Sequence, residues 1–121
     1  FADQRPHLLS GGEKRRLSIA GILVMEPKVI VCDEPFTSLD YPGVRQVLKQ
    51  IVALHQAGHT IVVITHDLEK VLAHCDRLII MRKGKIVRDG LPAEIVADIE
   101  MFGVRAPCAA QLGMEVRSWL N

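Results

Sequence analysis

Residues 28–35, with the sequence KVIVCDEP, decide the fold of this chain. Residues 29–32 are apolar and mostly β-branched, which predicts a strand over 28–33 that is buried on both faces. Two acids, Asp33 and Glu34, stand where this strand ends. Open α/β sheets bind ligands at the carboxyl ends of their strands, so this pair of acids is the first candidate site.

A second strand and a helix complete the unit around this stretch. Residues 60–66, TIVVITH, contain another apolar run, which predicts a buried strand leading to His66. Pro42 suits the first position of a helix that Gly58 ends, and apolar residues recur between them at helical spacing: Val44, Val47, Leu48, Ile51 and Leu54. A strand, a helix and a strand within about 40 residues predict a right-handed βαβ unit. The expected fold class is α/β, with parallel strands and flanking helices.

The remaining segments add helices and a terminal hairpin. Ser10 and Glu13 form an S-x-x-E capping box at the start of a helical pattern. Lys83-Gly84 is a typical two-residue hairpin turn between two strand patterns. The predicted segments are a helix over 10–26, a short helix over 68–74, a β-hairpin over 77–88 and tail helices over 92–120.

Composition narrows the possible functions. The chain has 121 residues, of which 49% are hydrophobic, enough for the core of one domain or part of one. Its net charge is +1, so binding to nucleic acid through charge alone is disfavoured. The three cysteines form no C-x-x-C pair, which disfavours a disulfide framework or a zinc site. No apolar run reaches the roughly 18 residues that a membrane span requires.

The acids at the end of the first strand suit metal-assisted hydrolysis. One carboxylate, Asp33, would hold Mg²⁺ through water, while Glu34 would orient or deprotonate the attacking water. Alternatively, both acids simply cap the loop that follows. His66 could reach a phosphate or position that water, whereas a lone histidine is more often structural. The other histidines match no motif.

Four motifs in a fixed order give these residues a context. They are LSGGE at residues 9–13, the strand ending in Asp33-Glu34, SLD at residues 38–40, and His66. In this order and at about these separations, they resemble the signature motif, Walker B strand, D-loop and H-loop of the ATPase subunits of ABC transporters. The resemblance implies a P-loop NTPase fold of the ABC type, with ATP and Mg²⁺ as cofactors.

The resemblance also implies roles for individual residues. Ser10, Gly11 and Gly12 would contact the γ-phosphate that the opposite subunit of a head-to-tail dimer holds. This suits a helix N-terminus, where glycines let backbone N–H groups approach a phosphate. His66 would contact the γ-phosphate or the attacking water. Asp40 matches the D-loop acid that links the two sites of the dimer, but an acid ahead of Pro42 could equally be a helix N-cap.

One departure from the family pattern is an absence. The sequence contains no G-x-x-x-x-G-K-[S/T] loop, which would cradle the α- and β-phosphates of the nucleotide. We therefore expect the chain to be the carboxyl-terminal half of an ABC ATPase domain, and to be inactive in hydrolysis by itself.

The segments LDYPG at 39–43, MRKGKI at 81–86 and GVRAP at 103–107 look most like energy-coupling-factor importers of the biotin or cobalt type. This resemblance implies a subunit that powers import of a vitamin or metal ion. It would lie in the cytoplasm, on the inner face of the membrane, bound to a transmembrane subunit that selects the cargo. A non-catalytic ABC-like interaction or regulatory module is the alternative. An ATPase acting on nucleic acid is a third hypothesis.

Overall fold

The computed structural model describes residues 13–14, 20–108 and 118–120. These residues belong to two compact units, Phe1–Val63 and Ile64–Asn121, and each unit is described separately. The proposed phosphate contacts Ser10, Gly11 and Gly12 lie outside the described residues, as do residues 109–117 of the predicted tail helices.

The predicted helix over 10–26 ends earlier than expected. Residues 13–14 and 20–23 are helical, and residues 24–25 form a turn. The N–H of Glu26 donates to the carbonyl of Leu23 at 3.0 Å, and Glu26 has φ +49°. Because Pro27 disfavours helical backbone in the residue before it, the chain leaves the helix ahead of Glu26.

The first unit then forms strand β1 (Val29–Asp33), helix α1 (Tyr41–Gln56) and strand β2 (Thr60–Ile64). β1 and β2 are neighbours in a parallel two-stranded sheet, which confirms the predicted α/β class. Two contacts bring the starts of the strands together. The N–H of Thr60 donates to the carbonyl of Lys28 at 2.9 Å, and Nδ1–H of His59 donates to the carbonyl of Pro27 at 2.7 Å.

Helix α1 has the expected apolar face and ends. Asp40 is its N-cap. Pro42 is the second residue of the helix, one position later than the sequence predicts. Gly58 follows the C-cap with φ +103°, a conformation in which glycine is not strained. The apolar face is buried through Val44, Val47, Leu48 and Ile51.

The prediction that both strands are buried on two faces is wrong for the described structure. In β1, Ile30 is 7% exposed, whereas Val29 and Val31 are 55% and 57% exposed. Successive side chains of a strand point to opposite faces, so only one face of β1 is buried. In β2, Val62 is likewise exposed. The apolar run identified the strands correctly but did not determine how many faces are covered.

The second unit begins with 3₁₀ turns where a short helix is predicted over 68–74. The turns are Leu68–Lys70 and Leu72–His74, separated by Val71. The N–H of Val71 donates to Leu68 and that of His74 donates to Val71, so the hydrogen bonds span three residues instead of four.

A hairpin follows, formed by β3 (Leu78–Arg82) and β4 (Lys85–Gly90). Its turn residues Lys83 and Gly84 have φ values of +51° and +74°, as a type I′ turn requires. The strands pair in antiparallel register, with an irregularity between Ile80 and Met81. The predicted hairpin is present, with β4 extending two residues beyond the predicted end.

Short helical elements cover the hairpin in the described part of the segment 92–120, where the sequence predicts tail helices. Helix α2 spans Pro92–Val96, and a 3₁₀ turn spans Ile99–Phe102 and ends at Gly103 with φ +76°. Residues 119–120 form a turn. The core of this unit consists of Leu68, Leu72, Leu78, Ile80, Ile95, Ile99 and Ala106.

An ion pair between Arg77 and Asp89 connects the start and the end of the hairpin. Arg77 Nε and Nη2 donate to the two carboxylate oxygens of Asp89 at 2.8 and 2.7 Å. Hydrogen bonding to the guanidinium of Arg77 lowers the pKa of Asp89, and the charge of Arg77 adds to the effect. A carboxyl whose pKa is lowered by folding stabilises the fold above its unfolded pKa, and this contribution is lost as the pH falls through the folded value.

We expect Asp89→Asn to destabilise the hairpin at pH 7 but not in acid. The difference in urea unfolding midpoint between the parent chain and this variant should begin to shrink below about pH 4, where Asp89 of the unfolded chain takes up its proton, and should disappear as the pH falls through the lower folded-state pKa. Arg77→Gln, which removes the other half of the pair, should show the same pH dependence. A difference of equal size at pH 7 and pH 2.5 would contradict this account.

Candidate functional site

The residue after β1 has an unusual backbone conformation. Asp33 is the last residue of the strand and is exposed, whereas Glu34 is half-buried and has φ +46°. A residue with a Cβ is strained in the left-handed region, at a cost of about 1 kcal/mol or more. Strain of this kind concentrates at functional sites, where surrounding structure holds a side chain in a required direction.

Burial of Phe36 fixes the loop that contains Glu34. Phe36 is 5% exposed, and Pro35 beside it is also buried. The N–H of Thr37 donates to the carbonyl of Glu34, and the N–H of Leu39 donates to that of Phe36, both at 3.3 Å. The loop is therefore two linked turns anchored by one aromatic side chain, with Glu34 at its start.

Asp40 closes this loop and starts α1. Its Oδ1 accepts a hydrogen bond from the N–H of Gly43 at 2.9 Å. Ser38, two residues earlier, also has a left-handed conformation, with φ +62°. The N-cap interpretation of Asp40 is thus what the structure shows, and its D-loop role stays a prediction.

His66 belongs to the second unit and lies two residues beyond β2, so it does not end the strand as expected. It is exposed, and the residues on both sides of it are linked. The N–H of Asp67 donates to Oγ1 of Thr65 at 3.1 Å. The carboxylate of Asp67 pairs with Nζ of Lys70 at 2.6 Å. Lys70 was not among the predicted site residues, although its i,i+3 spacing from Asp67 indicated this pair.

Comparison with known proteins agrees with the four motifs. A family model for ABC transporters matches residues 1–37. The energy-coupling factor transporter ATP-binding protein EcfA2 of Mycoplasmopsis synoviae is 48% identical over 99 residues, which are 82% of this chain and 32% of that protein. EcfA of Methanocaldococcus jannaschii is 42% identical over 115 residues, or 93% of this chain and 41% of that protein.

The solved structure of cbiO1 from Clostridium perfringens, described as part of the ABC transporter complex cbiONQ, superposes with a TM-score of 0.71. It is 42% identical and covers 82% of this chain and 40% of that one. The chain belongs to the ATP-binding domain family of ABC transporters. It spans about a third to two fifths of the length of the curated relatives it matches.

The donor set of this ABC domain fits a hydrated Mg²⁺ better than a metal held by protein alone. Among the described residues, no group of three or more His, Cys, Asp or Glu could hold a metal ion. Mg²⁺ commonly binds through one or two carboxylates, with water and substrate phosphates as its other ligands. The exposed Asp33 meets that requirement.

Two cysteines of the ABC domain, Cys32 and Cys75, do not suit nucleophilic chemistry. Burial raises the pKa of the Cys32 thiol within β1, and burial also raises that of Cys75. A thiol with a raised pKa stays protonated near neutral pH and is a weak nucleophile.

In the part of the chain that the structure describes, no helix is long and apolar enough to cross a membrane.

We expect Gly43→Ala to weaken the N-cap of α1. A Cβ at this position would lie 2.8 Å from Oδ1 of Asp40 and 3.4 Å from Cβ of Leu39, so the capping carboxylate must move. Because Ala is also a better helix former than Gly, the loss shows against Gly21→Ala: Gly43→Ala should have a free energy of unfolding in urea that is lower than that of Gly21→Ala by about 1 kcal/mol, the usual value of a cap.

Gly21→Ala is the matched control, because a Cβ there meets nothing within 4 Å and Gly21 is helical. It should leave the stability unchanged or raise it by up to about 1 kcal/mol. Equal stabilities of Gly43→Ala and Gly21→Ala would show that the cap adds nothing.

Proposed function

We propose that this chain supplies the hydrolytic part of the ATP-binding subunit of an ABC importer. The observation that carries the proposal is the strained, half-buried Glu34 directly after Asp33 at the carboxyl end of β1. A left-handed glutamate alone does not identify a base, since Glu26 has φ +49° and no proposed role. The position of Glu34 supports one, because it is half-buried beside Asp33 at a strand end, where open α/β sheets bind their ligands.

Asp33 and Glu34 have different roles in this proposal. Asp33 is exposed and would hold Mg²⁺ through water, and the bound ion would neutralise charge on the nucleotide phosphates. Glu34 would accept a proton from the attacking water. Its backbone conformation sets the direction in which the side chain leaves the loop.

The remaining roles follow from the family relationship. His66 would contact the γ-phosphate or the water. Ser10, Gly11 and Gly12 would contact the γ-phosphate of ATP held by a second ABC ATPase subunit in a head-to-tail dimer. Glu13 and Lys14, which directly follow them, are helical, and this supports a helix N-terminus near Ser10. Asp40 would connect the two sites in addition to capping α1.

The phosphate loop must come from residues other than these 121. No segment of the sequence has the G-x-x-x-x-G-K-[S/T] pattern, and the chain spans less than half of the relatives described above. We therefore propose that ATP binding and turnover belong to the whole subunit, and that this stretch alone does not hydrolyse ATP.

The importer and its cargo are proposed from the relatives. Energy-coupling factor ATP-binding proteins and cbiO1 of the cbiONQ complex are the proteins it resembles. We propose a transmembrane transporter subunit as partner, a position on the inner face of the cell membrane, and a vitamin or a metal ion as cargo. The alternatives are a non-catalytic regulatory module or an ATPase acting on nucleic acid.

In the intact subunit, Glu34→Gln should lower ATP turnover by about 10² to 10⁴, the usual contribution of a general base. MgATP binding should persist, because the amide keeps the size of the side chain and Asp33 is unchanged. Turnover is measured by phosphate release and binding by calorimetry.

Glu26→Gln is the matched control, because Glu26 has nearly the same backbone conformation, with φ +49° against +46°. It should leave turnover unchanged. Full turnover in Glu34→Gln would remove Glu34 from the role of base. An intact parent subunit that binds MgATP without turnover would favour the regulatory module.

Substitutions of Asp40 should separate its cap from its charge. Asn is as good an N-cap as Asp, so Asp40→Asn should keep the stability of the parent, whereas Asp40→Ala should lose about 1 kcal/mol. If Asp40 also acts between the two sites, ATP turnover should fall in both variants. Parental turnover in Asp40→Asn would leave Asp40 with the cap alone.

A further inference from the structure

The terminal segment Ser118–Leu120 contacts the 3₁₀ turns that follow His66. Oγ of Ser118 lies 2.7 Å from Nε2 of His74, within hydrogen-bond distance. The same hydroxyl accepts from the N–H of Leu120 at 3.0 Å, so it can donate its own proton to the imidazole. All three residues of the segment are half-buried. The segment is therefore held against the second turn by a specific hydrogen bond.

A second contact connects this segment to the first turn. The ring of Trp119 lies beneath Nζ of Lys70, 5.8 Å from ammonium to ring centroid. That distance is within the range of cation–π attraction. The Lys70 side chain is only 19% exposed, so most of it is withdrawn from water. Trp119 thus limits where the Lys70 charge can lie.

Lys70 in turn holds the residue next to His66. Its Nζ lies 2.6 Å from Oδ2 of Asp67, and the backbone N–H of Asp67 donates to Oγ1 of Thr65. Asp67 is thereby fixed through both its side chain and its backbone. His66 lies between Thr65 and Asp67, so its backbone has little freedom while these contacts hold.

We propose that Trp119 is a positioning residue for His66, acting through Lys70 and Asp67. An ion pair between residues i and i+3 near the surface is weak by itself, because water competes for both charges. The indole ring restricts the ammonium and shields it from water, so the pair with Asp67 persists for longer. The consequence for hydrolysis rests on the proposed function of His66.

The test is NMR spectroscopy of the full chain with histidine ring labels, in which His66→Ala assigns the His66 signal. Trp119→Ala and Lys70→Met should each shift the His66 ring signal and speed hydrogen exchange of the Asp67 amide by about twofold to fivefold, the factor for one cation–π contact. Trp119→Phe and Lys70→Arg keep a ring and a cation, so both should restore most of the parent behaviour.

Tyr41→Ala is the matched control. It removes a ring that lies 5.8 Å from the guanidinium of Arg45 in the first unit, so it deletes a contact of equal length elsewhere. It should leave His66 and Asp67 unchanged. Circular dichroism confirms that each variant is folded.

The proposal is overturned if folded Trp119→Ala and Lys70→Met leave the His66 signal and the Asp67 exchange rate unchanged. It is also overturned if Trp119→Phe behaves like Trp119→Ala, because the ring face would then not be the cause.

Turnover in the intact subunit gives an independent readout. Trp119→Ala should lower kcat with KM for ATP unchanged, and should have no further effect in a His66→Ala background. If His66→Ala itself keeps full turnover, the catalytic role of His66 fails, while the NMR result still decides whether Trp119 positions it.

Discussion

Burial of Phe36 is the interaction on which the candidate site depends. A strand that ends in two acids has no intrinsic reason to place the second acid in a left-handed conformation. Burial of Phe36, two residues later, offsets part of the cost of that conformation. The same loop ends at Asp40, which starts α1. The buried side chain thus lies between the second acid and the beginning of a helix.

In the second unit, polar contacts restrict the backbone beside a candidate residue, His66. Its apolar core lies between the hairpin and the short helical elements, and the residues around His66 are at the edge of that core. There, contacts among Thr65, Asp67 and Lys70 restrict the backbone where hydrophobic packing does not. Each unit therefore carries a proposed functional residue in a segment that its neighbours hold in place.

The sequence predicts the features that depend on local patterns. The apolar runs identify β1 and β2, the helical spacing identifies α1, and Lys83-Gly84 identifies the hairpin turn. Features that depend on distant parts of the chain are not predictable in this way. Burial of only one face of β1 depends on what packs against the sheet, and the contact of Lys70 with Trp119 joins residues far apart in the sequence. The four motifs identify the candidate residues. They do not predict the left-handed backbone of Glu34, because glutamate rarely adopts that conformation.

The irregular pairing within the hairpin determines which side of β4 carries the carboxylate of Asp89. Met81 pairs with Ile86 and Ile80 pairs with Arg88, so Val87 is one extra residue in β4. This extra residue places Asp89 opposite exposed Ile79, on the side where Arg77 reaches it. With regular pairing, Asp89 would stand opposite Leu78, which is buried in the core. The extra residue therefore keeps a charged side chain out of the core, and pairing without the bulge at the same strand length would turn that carboxylate inward.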